Sequence, residues 1–199
     1  MHDLSDGLAR FRRDVFPTKA GLFAHLATTH RPTTLFIGCS DARVVPELIT
    51  QSEPGELFVV RTAGNLVPAH APDPDGVAAS IEDAVAVLHV RDIVVCGHSA
   101  CGAMTARAEE HDLSAVPVVS GGLRHADAAR ARAAAGPAAS GPDRVAAMVR
   151  ANVSAQLRNL ATHPSVARAL AEGTLTLHGW VFDIAPGAVH PVDATALAA

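Results

Sequence analysis

The sequence predicts an α/β fold: a mainly parallel central β-sheet flanked by helices, with a C-terminal antiparallel edge strand and an N-terminal helical arm. Three observations carry this. Short β-rich apolar runs alternate with stretches of helical periodicity, the pattern of a parallel sheet joined by crossovers. The runs are apolar throughout, as strands buried on both faces must be. A Pro186-Gly187 pair between the last two extended stretches reads as a hairpin turn, which reverses the final strand.

Taken in order, Leu8, Phe11, Val15 and Phe16 share one helical face within Leu4–Phe16, with Arg10, Arg12 and Arg13 around it. Pro17 is expected to break that helix. Thr18 is expected to cap a second one running to His30 and carrying Leu22, Phe23 and Leu26. Thr33–Gly38 reads as a buried strand, Pro46 and Glu47 as the start of a short helix, and Glu56–Arg61 as the next strand after a Pro54-Gly55 turn. His70–Gly76 is a proline-rich acidic loop. From Val77 to His89, Ile81, Ala84, Val85 and Leu88 form a stripe suited to packing on the sheet. Asp92–Cys96 is the third strand, with a sharp turn expected at Gly97 and a helix from about Gly102.

Beyond it, His111–Gly122 reads as irregular, and the Ala/Arg/Gly/Pro-rich segment 124–142 as an exposed helix fragment and loop. Asp143–Leu160 is a helix behind an Asp cap, with Val145, Met148, Val149, Val153, Leu157 and Leu160 on its apolar face. Pro164 opens a short helix to Ala171. Thr174–Ile184 is a long strand, and Ala188–His190 its antiparallel neighbour.

Composition narrows the function. The 199 residues suit one domain with a real core, and a 49% hydrophobic content is too high for disorder. No apolar run approaches the roughly 18 to 20 residues of a membrane span. Asp3 and Asp6, with no apolar stretch beside them, argue against a signal peptide. Three cysteines, an odd number, make no disulfide framework and fit a reducing compartment, so a cytoplasmic location is expected. A net charge of −4 without a concentrated basic block argues against a nucleic-acid partner and for a small-molecule one.

The chemistry concentrates at strand ends. His98 and Cys101 follow the third strand, and Cys39 follows the first. Ligands of open α/β sheets gather at such carboxyl ends. A His-x-x-Cys pair alone is as compatible with a turn as with a ligand pair; Cys39 tips the balance. Two thiolates and one imidazole suit zinc and leave a fourth tetrahedral place open, the arrangement of a catalytic site. Cys96, by strand alternation, reads as core filler. Asp41 and Arg43 lie just past Cys39, where a carboxylate can bind the metal, accept a proton from its water, or pair with the guanidinium; a plain turn salt bridge is the alternative. Arg61 and Asn65, at another strand end, read as structural.

Cys39-Ser40-Asp41-Ala42-Arg43, Arg61-Thr62-Ala63-Gly64-Asn65 and Gly97-His98-Ser99-Ala100-Cys101-Gly102 together resemble the β-class carbonic anhydrase family. Pro54-Gly55-Glu56-Leu57-Phe58 and His178-Gly179-Trp180 fit as well, and the resemblance runs from about Leu22 to Gly187. It implies one zinc-dependent domain over 1–199, with an arm over 1–30. It implies a lyase that hydrates carbon dioxide to bicarbonate and a proton through a zinc-bound hydroxide positioned by an Asp–Arg dyad, and a homodimer or homotetramer. By resemblance Cys39, His98 and Cys101 are the ligands of one Zn2+ per subunit, and Asp41 and Arg43 the dyad.

The resemblance also implies a substrate pocket around His30, Phe58, Ala63, Asp83 and Gly102. His30 stands where the family commonly has Gln, and Asp83 where a Tyr often reaches in from a partner subunit. Ala42 replaces the usual Ser. Some members carry an inhibitory bicarbonate site of Trp, Arg and Tyr; the corresponding residues here, Phe36, Arg61 and Phe182, lack two of its donors. Competing readings are a carbonyl sulfide or carbon disulfide hydrolase on the same scaffold, and a zinc-binding interaction module without catalysis. The lack of a Cys-x-x-Cys pair weighs against a thiol redox protein.

Overall fold

The computed structural model describes residues 3–73, 75–135 and 140–192. It divides the chain into two compact units, 1–31 and 32–199. The first is helical: α1 (Leu4–Arg10), a π turn (Phe11–Val15) and α2 (Phe16–Leu26) run without interruption. The break expected at Pro17 does not occur. Proline removes one backbone donor and crowds the preceding turn, and here the wide π turn just before it takes up that misfit. Thr18 is not a cap: its hydroxyl donates to the Val15 carbonyl at 2.7 Å, inside the helix. Phe11, Phe16 and Phe23 cluster, with ring centroids 5.6–6.2 Å apart.

The second unit holds a five-stranded sheet. Its strands are β1 (Thr34–Cys39), β2 (Leu57–Thr62), β3 (Asp92–His98), β4 (Thr176–Asp183) and β5 (Ala188–Val192), in the order β2-β1-β3-β4-β5. The first four are parallel and β5 is antiparallel to β4, turning at Gly187 with φ +67°. The mainly parallel sheet and its antiparallel edge are as the alternating pattern predicts. The order reverses between β1 and β3, so the crevice for a ligand lies at their carboxyl ends.

Strand alternation sorts the core. Leu35, Ile37, Ile93, Val95 and Leu177 face α4 (Gly76–Glu82) and its π continuation (Asp83–Val87), α8 (Gly141–Ala161) and α9 (Pro164–Ala171). Phe36, Val94 and Cys96 form a separate cluster with Leu57, Val59, Trp180 and Phe182. Helix α4 is capped by Asp75, whose carboxylate accepts from Val77 and Ala78, and the π continuation ends before His89, left-handed at φ 56°.

The strand expected to stop at Cys96 and turn at Gly97 continues through His98. Gly97 is required by packing instead: a Cβ there would lie 2.9 Å from both Val149 and Val153 of α8. Backbone reversal falls to Ala100, at φ 52°. The short helix expected at Pro46 is α3 (Pro46–Thr50), and α5 (Gly102–Ala108) follows the reversal at Ala100.

Two further expectations change. Part of the stretch read as irregular is α6 (Pro117–Leu123), its Pro in the first turn. Segment 124–142 is not simply exposed. A 3-10 turn (Arg124–Ala126) and α7 (Asp127–Ala134) fully bury Ala126 and Ala129 in a cluster with Met104, Leu123 and Met148. Alanine's small side chain lets these helices approach closely without a long apolar run to announce it. Residues 136–139 of that segment lie outside the described residues. The cap of α8 is Ser140, with no side-chain bond; Asp143 lies in the first turn, where its charge suits the helix dipole. No described helix is long and apolar enough to cross a membrane.

Candidate metal centre

Three chain segments deliver the donors. Cys39 is the last residue of β1, His98 the last of β3, and Cys101 the residue before α5. Their ligand atoms all lie within 4.8 Å of one another. All are buried: Cys39 is 6% exposed, His98 0% and Cys101 1%.

Hydrogen bonds set the chemical state of each donor. His98 Nδ1 lies 3.0 Å from the Ser99 carbonyl, which can only accept, so Nδ1 carries the proton. Nε2 then has its lone pair free, and it is one of the buried side-chain nitrogens without a hydrogen-bond partner among the described residues. A buried imidazole lone pair with no partner, aimed into a group of two sulfurs, is what a metal ligand looks like without its ion. The two thiols are coupled. Cys39 is pulled well down, first by the hydrogen bond with Cys101, while burial opposes the shift. Cys101 is pushed up, first by Cys39 and then by burial. Two sulfurs this close favour giving up a proton, and a divalent cation bound there would take its place. Two sulfurs and one nitrogen suit zinc, and the set fits one such ion with a fourth position open.

The loop from Cys39 to Val44 is braced from β2. Arg61 Nε donates to the Cys39 carbonyl at 3.0 Å, and its terminal nitrogen to the carbonyls of Asp41 and Val44 at 2.6 and 2.8 Å. Arg61 is thus structural, as read from its position. The loop presents Asp41 to Arg43: Nε to Oδ1 at 2.9 Å, the terminal nitrogen to Oδ2 at 2.7 Å, and the Arg43 backbone N–H to Oδ1 at 2.9 Å. These bonds hold the Asp41 carboxyl below the usual carboxylate range, the Arg43 side chain contributing most. The same guanidinium donates to the Ala100 carbonyl at 3.1 Å, tying the Cys39 loop to the His98–Cys101 turn. Asp41 Oδ2 stands 3.8 Å from His98 Nε2.

The expected pocket residues are placed unequally. Ala63 and Gly102 adjoin the donors, Ala63 in the 3-10 turn (Ala63–Asn65) after β2 and Gly102 next to Cys101. Phe58 pairs with Leu35, whereas Cys39 pairs with Thr62, so Phe58 lies well back along β2 and packs on the main core. Asp83 opens the π continuation of α4, and His30 belongs to the first unit.

Sequence reasoning missed three contributors. The Gly64 backbone N–H donates to Cys39 Sγ at 3.3 Å. Asn152 and Gln156 are buried on α8, and Asn152 holds the Gly64 carbonyl at 2.9 Å. Polar residues at positions 152, 156 and 159, on one face of α8, were the available signal.

Comparison with known proteins follows this geometry. The family model for carbonic anhydrase matches residues 34–189. The chain is 58% identical over 193 residues to a carbonic anhydrase of Pseudomonas aeruginosa, covering 97% of this chain and 88% of that protein. It is 55% identical, with the same coverage, to carbonic anhydrase 1 of Escherichia coli O157:H7. Among solved structures, the β-carbonic anhydrase CcaA superposes with a TM-score of 0.91 at 40% identity, over 94% of this chain and 85% of that one. Tetrameric β-carbonic anhydrases from Sordaria macrospora give 0.82 at 32% identity, over 95% and 94%.

Proposed function

The chain belongs to the β-class carbonic anhydrase family, and from that premise we propose that it hydrates carbon dioxide reversibly to bicarbonate and a proton, with Cys39, His98 and Cys101 holding one zinc ion per subunit. The observation that carries this is the meeting of three donor atoms within 4.8 Å beside an ion-paired carboxylate, Asp41. When bound, zinc supplies a Lewis acid strong enough to make water lose a proton near neutral pH.

The chain's own residues do the rest. Cys39 and Cys101 supply negative charge and His98 a neutral nitrogen, which leaves the set one ligand short of a closed structural site. Asp41 stays ionised because Arg43 donates to both its oxygens, so it is an acceptor only. With Oδ2 at 3.8 Å from His98 Nε2, it can accept a hydrogen bond from a water beside the donors and so orient that water toward the substrate. Arg43 keeps the carboxylate from swinging toward the donors, because it is itself tied to the Ala100 carbonyl. Ala63 and Gly102 leave room for a small linear substrate beside the cluster.

The assembly we propose is a homodimer or homotetramer, the similar β-carbonic anhydrases of Sordaria macrospora being tetrameric; Phe58 lies too far along β2 to line its own chain's centre. Unpaired thiols suit the cytoplasm. Zinc content of the purified protein, measured alongside stopped-flow carbon dioxide hydration, tests the proposal: one zinc per chain with rapid hydration is expected. Stoichiometric zinc without hydration would leave a binding module.

A further inference from the structure

Helix α8 packs on the sheet, where apolar side chains would serve best, yet it buries two amides completely: Asn152 and Gln156 are both 0% exposed. Burying an amide costs free energy unless its donors and acceptors are bonded. Here they are, within a row of side chains from Asn152 to His163 that reaches mainly to the backbone between Gly64 and His70. Gln156 Oε1 accepts from Val67 N–H at 2.8 Å, and Asn159 Nδ2 donates to the Val67 carbonyl at 2.8 Å. His163 Nε2 meets the Pro68 carbonyl at 3.0 Å, and Thr162 Oγ1 accepts from His70 N–H at 2.8 Å.

The row has a direction. Val67 N–H can only donate, so it fixes which end of the Gln156 amide faces it. Gln156 Nε2 is thereby turned away, donating to the His125 carbonyl at 3.1 Å and to Asn152 Oδ1 at 2.8 Å. With Oδ1 engaged, Asn152 must present Nδ2 to its other neighbour, the Gly64 carbonyl at 2.9 Å. Gly64 itself has little freedom. Its φ is +73°, and a Cβ there would come within 2.9 Å of Met104 Cε. Its N–H points at Cys39 Sγ.

We propose that Asn152, oriented by Gln156, is a positioning residue for the metal centre: it anchors Gly64 by its carbonyl, and so holds in place the residue whose N–H, in the preceding peptide, is presented to the Cys39 sulfur. The inference rests on the zinc reading of Cys39, His98 and Cys101. Donors to a ligating atom fix its orientation and tune the charge it gives the metal, and their loss typically weakens metal affinity by about 10- to 100-fold.

The test compares Asn152→Asp and Asn152→Leu with Thr162→Val. The first keeps shape but cannot donate to Gly64. The second is uncharged and similar in size, so it serves if a buried carboxylate prevents folding. Thr162→Val releases the same backbone segment at its far end. Zinc affinity is measured by chelator competition, and the thiolate-to-metal charge-transfer band is recorded on the cobalt-loaded proteins. We expect roughly tenfold weaker zinc binding and a shifted band for the Asn152 variants. For Thr162→Val we expect wild-type affinity and band with a lower melting temperature. Asn152 variants that bind zinc as tightly as wild type, with an unshifted band, overturn the inference. So does Thr162→Val weakening zinc equally, since loosening alone would then explain the effect. A wild-type protein that binds neither ion overturns the zinc reading and this inference with it.

Discussion

Cys39 at the end of β1 and Cys96 two residues before the end of β3 are both hidden from solvent, yet their chemistry is opposite. Cys96 sits among Phe36, Val94, Trp180 and Phe182, with its thiol pushed up to about 12 by burial. Cys39 is also buried, and it is pulled down, first by the hydrogen bond with Cys101 and further by the neighbouring His98 and backbone N–H groups. Burial alone therefore makes a thiol inert; burial beside donors makes it a ligand. The polar end of the sheet and its aromatic face differ in who the neighbours are, and each prediction probes that difference.

The largest effect belongs to the donors. Cys39→Ala, His98→Ala or Cys101→Ala should each take bound zinc from one per chain to near none and hydration to background, read by metal analysis and stopped-flow assay. A fully loaded, active variant would move the centre elsewhere. Next comes Asp41→Asn, which should keep zinc but lose about 100-fold in kcat, the scale of one acid–base or electrostatic group. Unchanged kcat would reduce Asp41 to a partner of Arg43.

On the aromatic face the effects are smaller. The raised thiol of Cys96 keeps its proton in the folded chain after the unfolded chain has lost it. Its contribution is complete below pH 8.5 and lost as pH rises toward 12. The stability difference between wild type and Cys96→Ala should thus narrow, by about 2 kcal/mol between pH 8.5 and 10 in denaturant titrations. A constant difference would mean the thiol titrates normally. The smallest expected effect is none at all. Phe36 packs edge-on to Trp180 with centroids 6.4 Å apart, and Arg61 has donated its hydrogens to three carbonyls. Neither phenylalanine can donate, so among Phe36, Arg61 and Phe182 an anion would meet no side-chain donor beyond the second terminal nitrogen of Arg61. Activity from pH 6.5 to 9 should keep one gentle profile with or without added bicarbonate; a steep bicarbonate-dependent collapse below pH 8 would contradict this.

The strands and the donors were legible because both are local signals. Leu35-Phe36-Ile37 and Ile93-Val94-Val95 are apolar runs that only a covered sheet can use, and the donors stand where those runs stop. What stayed hidden depends on partners far along the chain. Gly97 reads as a turn until α8 is laid across it, and Ala126 and Ala129 read as surface until Met148 is beside them. Pro17 reads as a stop because periodicity does not reveal a π turn that absorbs it. Asn152 and Gln156 were passed over because a polar residue on a helix is ordinarily a solvated one, and only the path of the Gly64–His70 backbone makes them interior.

The order of the strands bears on how an ion would be caught. Cys39 and His98 are neighbours only because β3 adds to the edge of β1 that β2 leaves open. In the unfolded chain they are separated by about sixty residues, and closing a loop of that size carries an entropic cost that grows with its logarithm. The unfolded chain therefore offers a cation little more than the His98–Cys101 pair, a two-atom grip. The third atom arrives with the finished topology. An ion that needs all three holds the native state and not its competitor, so it acts as a clasp on the β1–β3 pairing. Free ion at a hundredfold excess over its Kd would add about 2.7 kcal/mol against unfolding.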